Sequence, residues 1–128
     1  MATTLTRDPA PPEALMRARI RADLPSEVFR ARPRRYLNFL LLQGIFWSSV
    51  LTIITARPFW PVALLLGLTA GLAQAAQAFL AHEALHGALG GPKWLRLFVG
   101  WLGFGPELFP PGFWIRWHNV VHHGNTNM

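Results

Sequence analysis

From Tyr36 to Thr55 the chain runs 20 residues without a charge (YLNFLLLQGIFWSSVLTIIT). Wound as a helix, that stretch is roughly 30 Å long, the thickness of one bilayer hydrocarbon core. Ala56-Arg57-Pro58 follows as a tight turn, with a proline to stop one helix and start the next. Phe59 to Leu80 then supplies a second apolar span that returns toward the side where the first began. Gly67, Gly71 and Ala75 form a small-residue ridge at four-residue spacing, the pattern that lets two membrane helices approach closely. Asn38 and Gln43, polar members of the first span, are expected to face protein rather than lipid. Residues 36–80 (about 36–55 and 59–80) therefore read as a transmembrane helical hairpin, and the fold class as all-α and integral to the membrane.

Composition agrees. Hydrophobic residues make up 52% and charged residues 14%, against about a quarter charged in soluble domains. The net charge of +6 resembles a nucleic-acid signal until it is mapped: eight of the twelve basic residues precede Tyr36. That asymmetry fits the positive-inside rule and not a groove for phosphates, so nucleic-acid binding is excluded. Residues 1–35 form a basic segment without an apolar run, which rules out a cleavable secretory signal at the start. Glu13 to Ala22 and Pro25 to Ala31 can form surface helices there, the alternative being a disordered tail. Arg30, Arg32, Arg34 and Arg35 sit against the first span and should hold the N-terminus on the cytoplasmic side. With no cysteine, disulfides, thiolate zinc sites, iron–sulfur clusters and a cysteine nucleophile are all excluded.

All five histidines fall in two clusters in the segment 81–128: His82 with His86, and His118 with His122 and His123. Each holds a pair at i, i+4, which places two side chains on one helix face about 6 Å apart. Imidazole is the commonest protein metal ligand, and such confinement points to a metal site. Gln74, Ala78, His82 and His86 are continuous at i, i+4, so the second helix carries the first pair out of the cytoplasmic mouth of the span, and Gly90-Gly91-Pro92 should end it. Gln74 and Gln77 face either a cavity or a neighbouring helix.

Residues 93–115 are apolar enough to suggest a third span, but Lys93, Arg96, Pro106, Glu107 and Pro110-Pro111-Gly112 interrupt them. A span here would carry the second cluster to the opposite side of the membrane from the first. The segment is therefore expected to dip or lie in the interface, with Trp94, Trp101, Trp114 and Trp117 at the headgroup boundary.

Two metal chemistries fit. His82-Glu83-Ala84-Leu85-His86 alone is HExxH, the signature of a zinc protease with Glu83 as general base; that reading leaves His118, His122 and His123 without a role. A haem held by paired histidines is a binding alternative, although ligands for one haem normally come from opposing helices. Using both clusters, residues 36–128 resemble the membrane fatty acid desaturase and hydroxylase superfamily. Its first box, HxxxH, matches His82 to His86 with Gly87 behind it. Its second, HxxHH or HxxxHH, matches His118 to His123, which begins 32 residues after His86. Asn125-Thr126-Asn127 is similar to the acyl-lipid branch.

The resemblance implies a non-haem di-iron centre ligated by His82, His86, His118, His122 and His123, with Glu83, Asn119 and Asn125 as candidates to orient the imidazoles. It implies dioxygen-dependent desaturation of a membrane acyl lipid, with a ferredoxin or cytochrome b5-type electron donor; a hydroxylase or carotenoid ketolase shares the boxes. The family pattern also includes two further spans and a third box, while this sequence reaches Met128 five residues after His123. The expectation is the N-terminal part of such an enzyme, as a fragment or truncated product that can be inactive alone. A partner chain, a homo-oligomer pooling its boxes, or a non-catalytic remnant are the alternatives.

Overall fold

The computed structural model describes residues 12–122, which divide into one unit up to Arg30 and a second from Ala31 onward. Every regular element among them is helical. The first unit holds α1 (Pro12–Asp23) and a single 3₁₀ turn, Ser26–Phe29. The first surface helix is thus present as expected. The second shortens to one turn, in which the Val28 N–H donates to Pro25 and Arg21 lies over the Phe29 ring at 4.9 Å.

The second unit begins with α2 (Arg35–Ala56) and α3 (Trp60–Leu85), the two helices long and apolar enough to cross a membrane. Arg57 adopts a left-handed conformation (φ 46°) at the end of α2, Pro58 follows, and Pro61 lies in the first turn of α3, so the reversal is built from residues that cannot continue a helix. Only 11% of the most apolar stretch of α2 and 17% of that of α3 is buried. Leu40, Leu51, Leu65, Leu72 and Phe79 project outward, which suits lipid and not the core of a soluble protein.

Inside the hairpin, Phe39 and Ser49 of α2 are buried, as are Ala70, Ala73, Gln77, Ala81 and Ala84 of α3. This corrects the sequence reading of the ridge: Gly67, Gly71 and Ala75 are exposed, and a Cβ on either glycine would meet nothing within 4 Å. The alanine face is equally small and lies opposite the bulky Phe39, so burial selects it. Asn38 is also exposed, whereas Gln43 is half-buried as expected.

After α3 the chain turns into α4 (Lys93–Phe104), a 12-residue helix that runs back along α3. At 1.5 Å per residue it is about 18 Å long, too short to span a bilayer. Gly100 lets it approach Leu85, and Gly103 lies so close to Ala81 that a Cβ there would collide with it. The carbonyls at the end of an α-helix have no partner within it. Two glutamines of the hairpin supply the donors: the amide of Gln43 donates to the Leu102 carbonyl at 3.2 Å, and that of Gln74 to Gly103 at 2.8 Å. Gln74 and Gln77 thus bind neighbouring groups; Gln77, fully buried, donates to Gln74. A 3₁₀ turn, Gly105–Glu107, with Leu108 at φ 56°, reverses the chain into α5 (Pro111–Arg116) and a π-helical turn, Trp117–His122. The segment 93–115 therefore doubles back on itself and holds no helix long enough to span a bilayer.

Candidate metal centre

α3 stops sooner than the Gly90-Gly91-Pro92 signal predicts. Gly87, at φ 84°, closes a Schellman motif directly behind the first histidine pair: its N–H donates to Ala84 at 2.9 Å and the Ala88 N–H to Glu83 at 3.0 Å. The left-handed conformation is what a glycine tolerates at this position. Gly90 and Gly91, both at positive φ, then turn the loop toward α4.

Three bonds tie this end of α3 to the start of α2. The Arg32 N–H donates to the Ala88 carbonyl at 3.0 Å, the Tyr36 hydroxyl donates to Gly90 at 2.8 Å, and the Arg35 guanidinium pairs with the Glu83 carboxylate. Glu83 is thus turned toward α2. His82 is half-buried and His86 exposed on the neighbouring face.

The return through α5 brings the second cluster to the first. Pro111 packs on Gly100, and the helix beyond it carries Trp114 and His118, one turn apart. The His118 ring lies 4.6 Å from that of His82 and 5.1 Å from that of His86, and those two are 4.7 Å apart. The nearest nitrogens of the three imidazoles all lie within 4.8 Å of one another. Ligands on one tetrahedral ion with 2.1 Å bonds are roughly 3.4 Å apart, so three nitrogens gathered this closely are candidates to share an ion. His118 is buried, at 8% exposure.

The group is all-nitrogen, so three neutral imidazoles would leave the charge of a divalent ion uncancelled, and the donor type suits iron, zinc or copper. Its chemistry fits the metal expected from the sequence. His122 is exposed and sits beside this trio, its ring 5.0 Å from that of His118 across the π-helical turn. π-Helical turns recur at functional sites. His123 and Asn125 lie outside the described residues, as does the side chain of Asn119.

Sequence reasoning missed one participant. Trp114, grouped with the interfacial tryptophans, is only 5% exposed and stacks on His118, with ring centroids 4.2 Å apart and planes 16° from parallel. Its distance of four residues from His118 was the available signal. Trp94, Trp101 and Trp117 are exposed, as that reading requires. Beside His82 a cavity of about 230 Å³ opens along α3, lined by Ala75, Ala78, Phe79, His82 and Phe104.

Residues 58–128, which include both histidine clusters, match the family model described as Fatty acid desaturase. No curated protein and no solved structure matches the chain.

Proposed function

This chain belongs to the fatty acid desaturase family, and on that premise we propose that it supplies the membrane hairpin and two histidine boxes of an iron-dependent oxidoreductase that desaturates membrane acyl lipids. The observation that carries the proposal is the convergence of His82, His86 and His118, from two segments 32 residues apart, on one point. Iron with dioxygen provides an oxidant strong enough to take hydrogen from an unactivated methylene, which no side chain can do. His82, His86 and His118 hold one ion, and His122 and His123 serve a second.

The open apolar groove beside His82 offers an acyl segment a surface next to the ligands. The arginines before α2 support a cytoplasmic position for the histidine end, where a ferredoxin or cytochrome b5-type donor would reach it. The zinc protease reading asks Glu83 to face the metal as general base. Its pairing with Arg35 engages that carboxylate elsewhere and favours the desaturase reading.

Iron and zinc determination on the detergent-purified chain tests this. Retained iron that is lost in His118→Ala supports the proposal. Zinc at one per chain, with peptide cleavage that needs Glu83 and tolerates His118→Ala, would replace it with the protease; absence of both metals would reduce the chain to a remnant.

A further inference from the structure

We propose that Trp114 is the positioning residue of the histidine trio, its indole fixing the ring planes of His82, His86 and His118. This rests on the metal reading above.

The terminal torsion of a histidine side chain is broad and two-fold, so backbone and rotamer preference leave the imidazole plane undetermined. Three imidazoles that are to share one ion need that plane set from outside. Trp114 touches all three. It stacks on His118 and meets His82 and His86 edge-on, at centroid distances of 4.8 and 5.4 Å and interplanar angles of 67° and 74°. Offset-stacked and edge-to-face contacts are the favourable arrangements between aromatic rings.

The indole is itself held. It also stacks on Phe104, at 5.6 Å and 22°, and Phe104 is buried at the end of α4. A rigid ring, braced by α4, therefore spans two helices and faces every member of the trio. Trp114 belongs to neither histidine cluster and offers no ligand atom, so its action is on the ligands and not on the metal.

Cobalt(II) added to the full chain in detergent is the test, since its visible bands report ligand geometry without any turnover. Trp114→Met, which fills space without a ring face, is expected to bind cobalt at least about ten-fold more weakly with displaced bands. Trp114→Phe restores a ring face and should stay within about three-fold of the parent chain. Val99→Ala, a cavity in the same core that keeps every ring, should lower stability and leave cobalt affinity and bands unchanged.

Parent-like affinity and bands in Trp114→Met would overturn the assignment, as would an equal loss in Val99→Ala. In 5-fluorotryptophan-labelled chain, the resonance missing from Trp114→Phe should shift on adding cobalt. A resonance that stays in place overturns the proposal even where Trp114→Met does not fold. A parent chain that takes up no cobalt removes the three-histidine site and this inference together; cobalt uptake that Trp114→Met leaves untouched removes this inference alone.

Discussion

The side-chain amide of Gln74 donates to the backbone carbonyl of Gly103, 29 residues further along the chain, at 2.8 Å. With Gln43 on Leu102, it completes the last turn of a helix that ends in an apolar setting. These bonds explain how α4 can stop after 12 residues.

Gln74→Met should therefore lower stability by about 1–3 kcal/mol, the cost of a buried acceptor left unmade. Gln77→Met should cost less than Gln74→Met, because it gives up the bond to Gln74 but also removes the Gln77 Oε1, which is buried without a partner among the described residues. Unfolding of both variants in detergent, followed by circular dichroism, separates them. Equal losses would show that Gln74 acts only by filling space.

Gly103 admits α4 to α3 because Ala81 stands where a Cβ would go. Gly103→Ala is expected to cost about 1–3 kcal/mol by overpacking. Adding Ala81→Gly should recover part of that loss, so that the double variant is more stable than the sum of the singles predicts. Simple additivity in the double-mutant cycle would mean that the two residues do not meet.

Gly87 terminates α3 in the left-handed conformation, and Arg96 Nη1 lies 2.8 Å from where a Cβ would be. Gly87→Ala should cost about 1 kcal/mol or more, and Gly87→Asn less, since asparagine tolerates that conformation better. Metal uptake should fall in the same order, because the motif fixes the end of the helix that carries His82 and His86. Unchanged uptake in Gly87→Ala would separate the cap from the site.

The Arg35–Glu83 pair is more than a third exposed on both sides. Solvent screening limits its worth to under about 1 kcal/mol. Glu83→Gln is accordingly expected to fold and to keep its metal, whereas His82→Ala, His86→Ala and His118→Ala should each lose it. His122→Ala, outside the trio, should have a smaller effect. Elemental analysis of the five purified variants checks the set.

Much of this architecture can be read in the residues. The charge-free run from Tyr36 and the proline turn at Pro58 announce a hairpin because lipid tolerates little else. The interruptions at Pro106 and Pro110-Pro111 foretell a segment broken into short helices. The buried face of α3 is not legible, because small residues line it on both sides: Gly67, Gly71 and Ala75 make as good a ridge as Ala70, Ala73 and Ala81. The choice is made by α2 and α4, whose Phe39 and Gly103 need a shallow surface. Trp114 escaped for the same kind of reason. An indole in an apolar segment reads as a headgroup anchor, and only the return of α5 reveals that it meets imidazoles from another helix.

The glutamine caps of α4 carry a consequence for biogenesis. Their donors belong to α2 and α3, so α4 has nowhere to place its terminal carbonyls until both hairpin helices are in the bilayer. Insertion of the hairpin is therefore expected to precede docking of α4, with the return of His118 to His82 and His86 following. On the proposed reading, metal uptake is then the last event of maturation. A nascent chain released before Lys93 should integrate into the membrane and yet capture no metal.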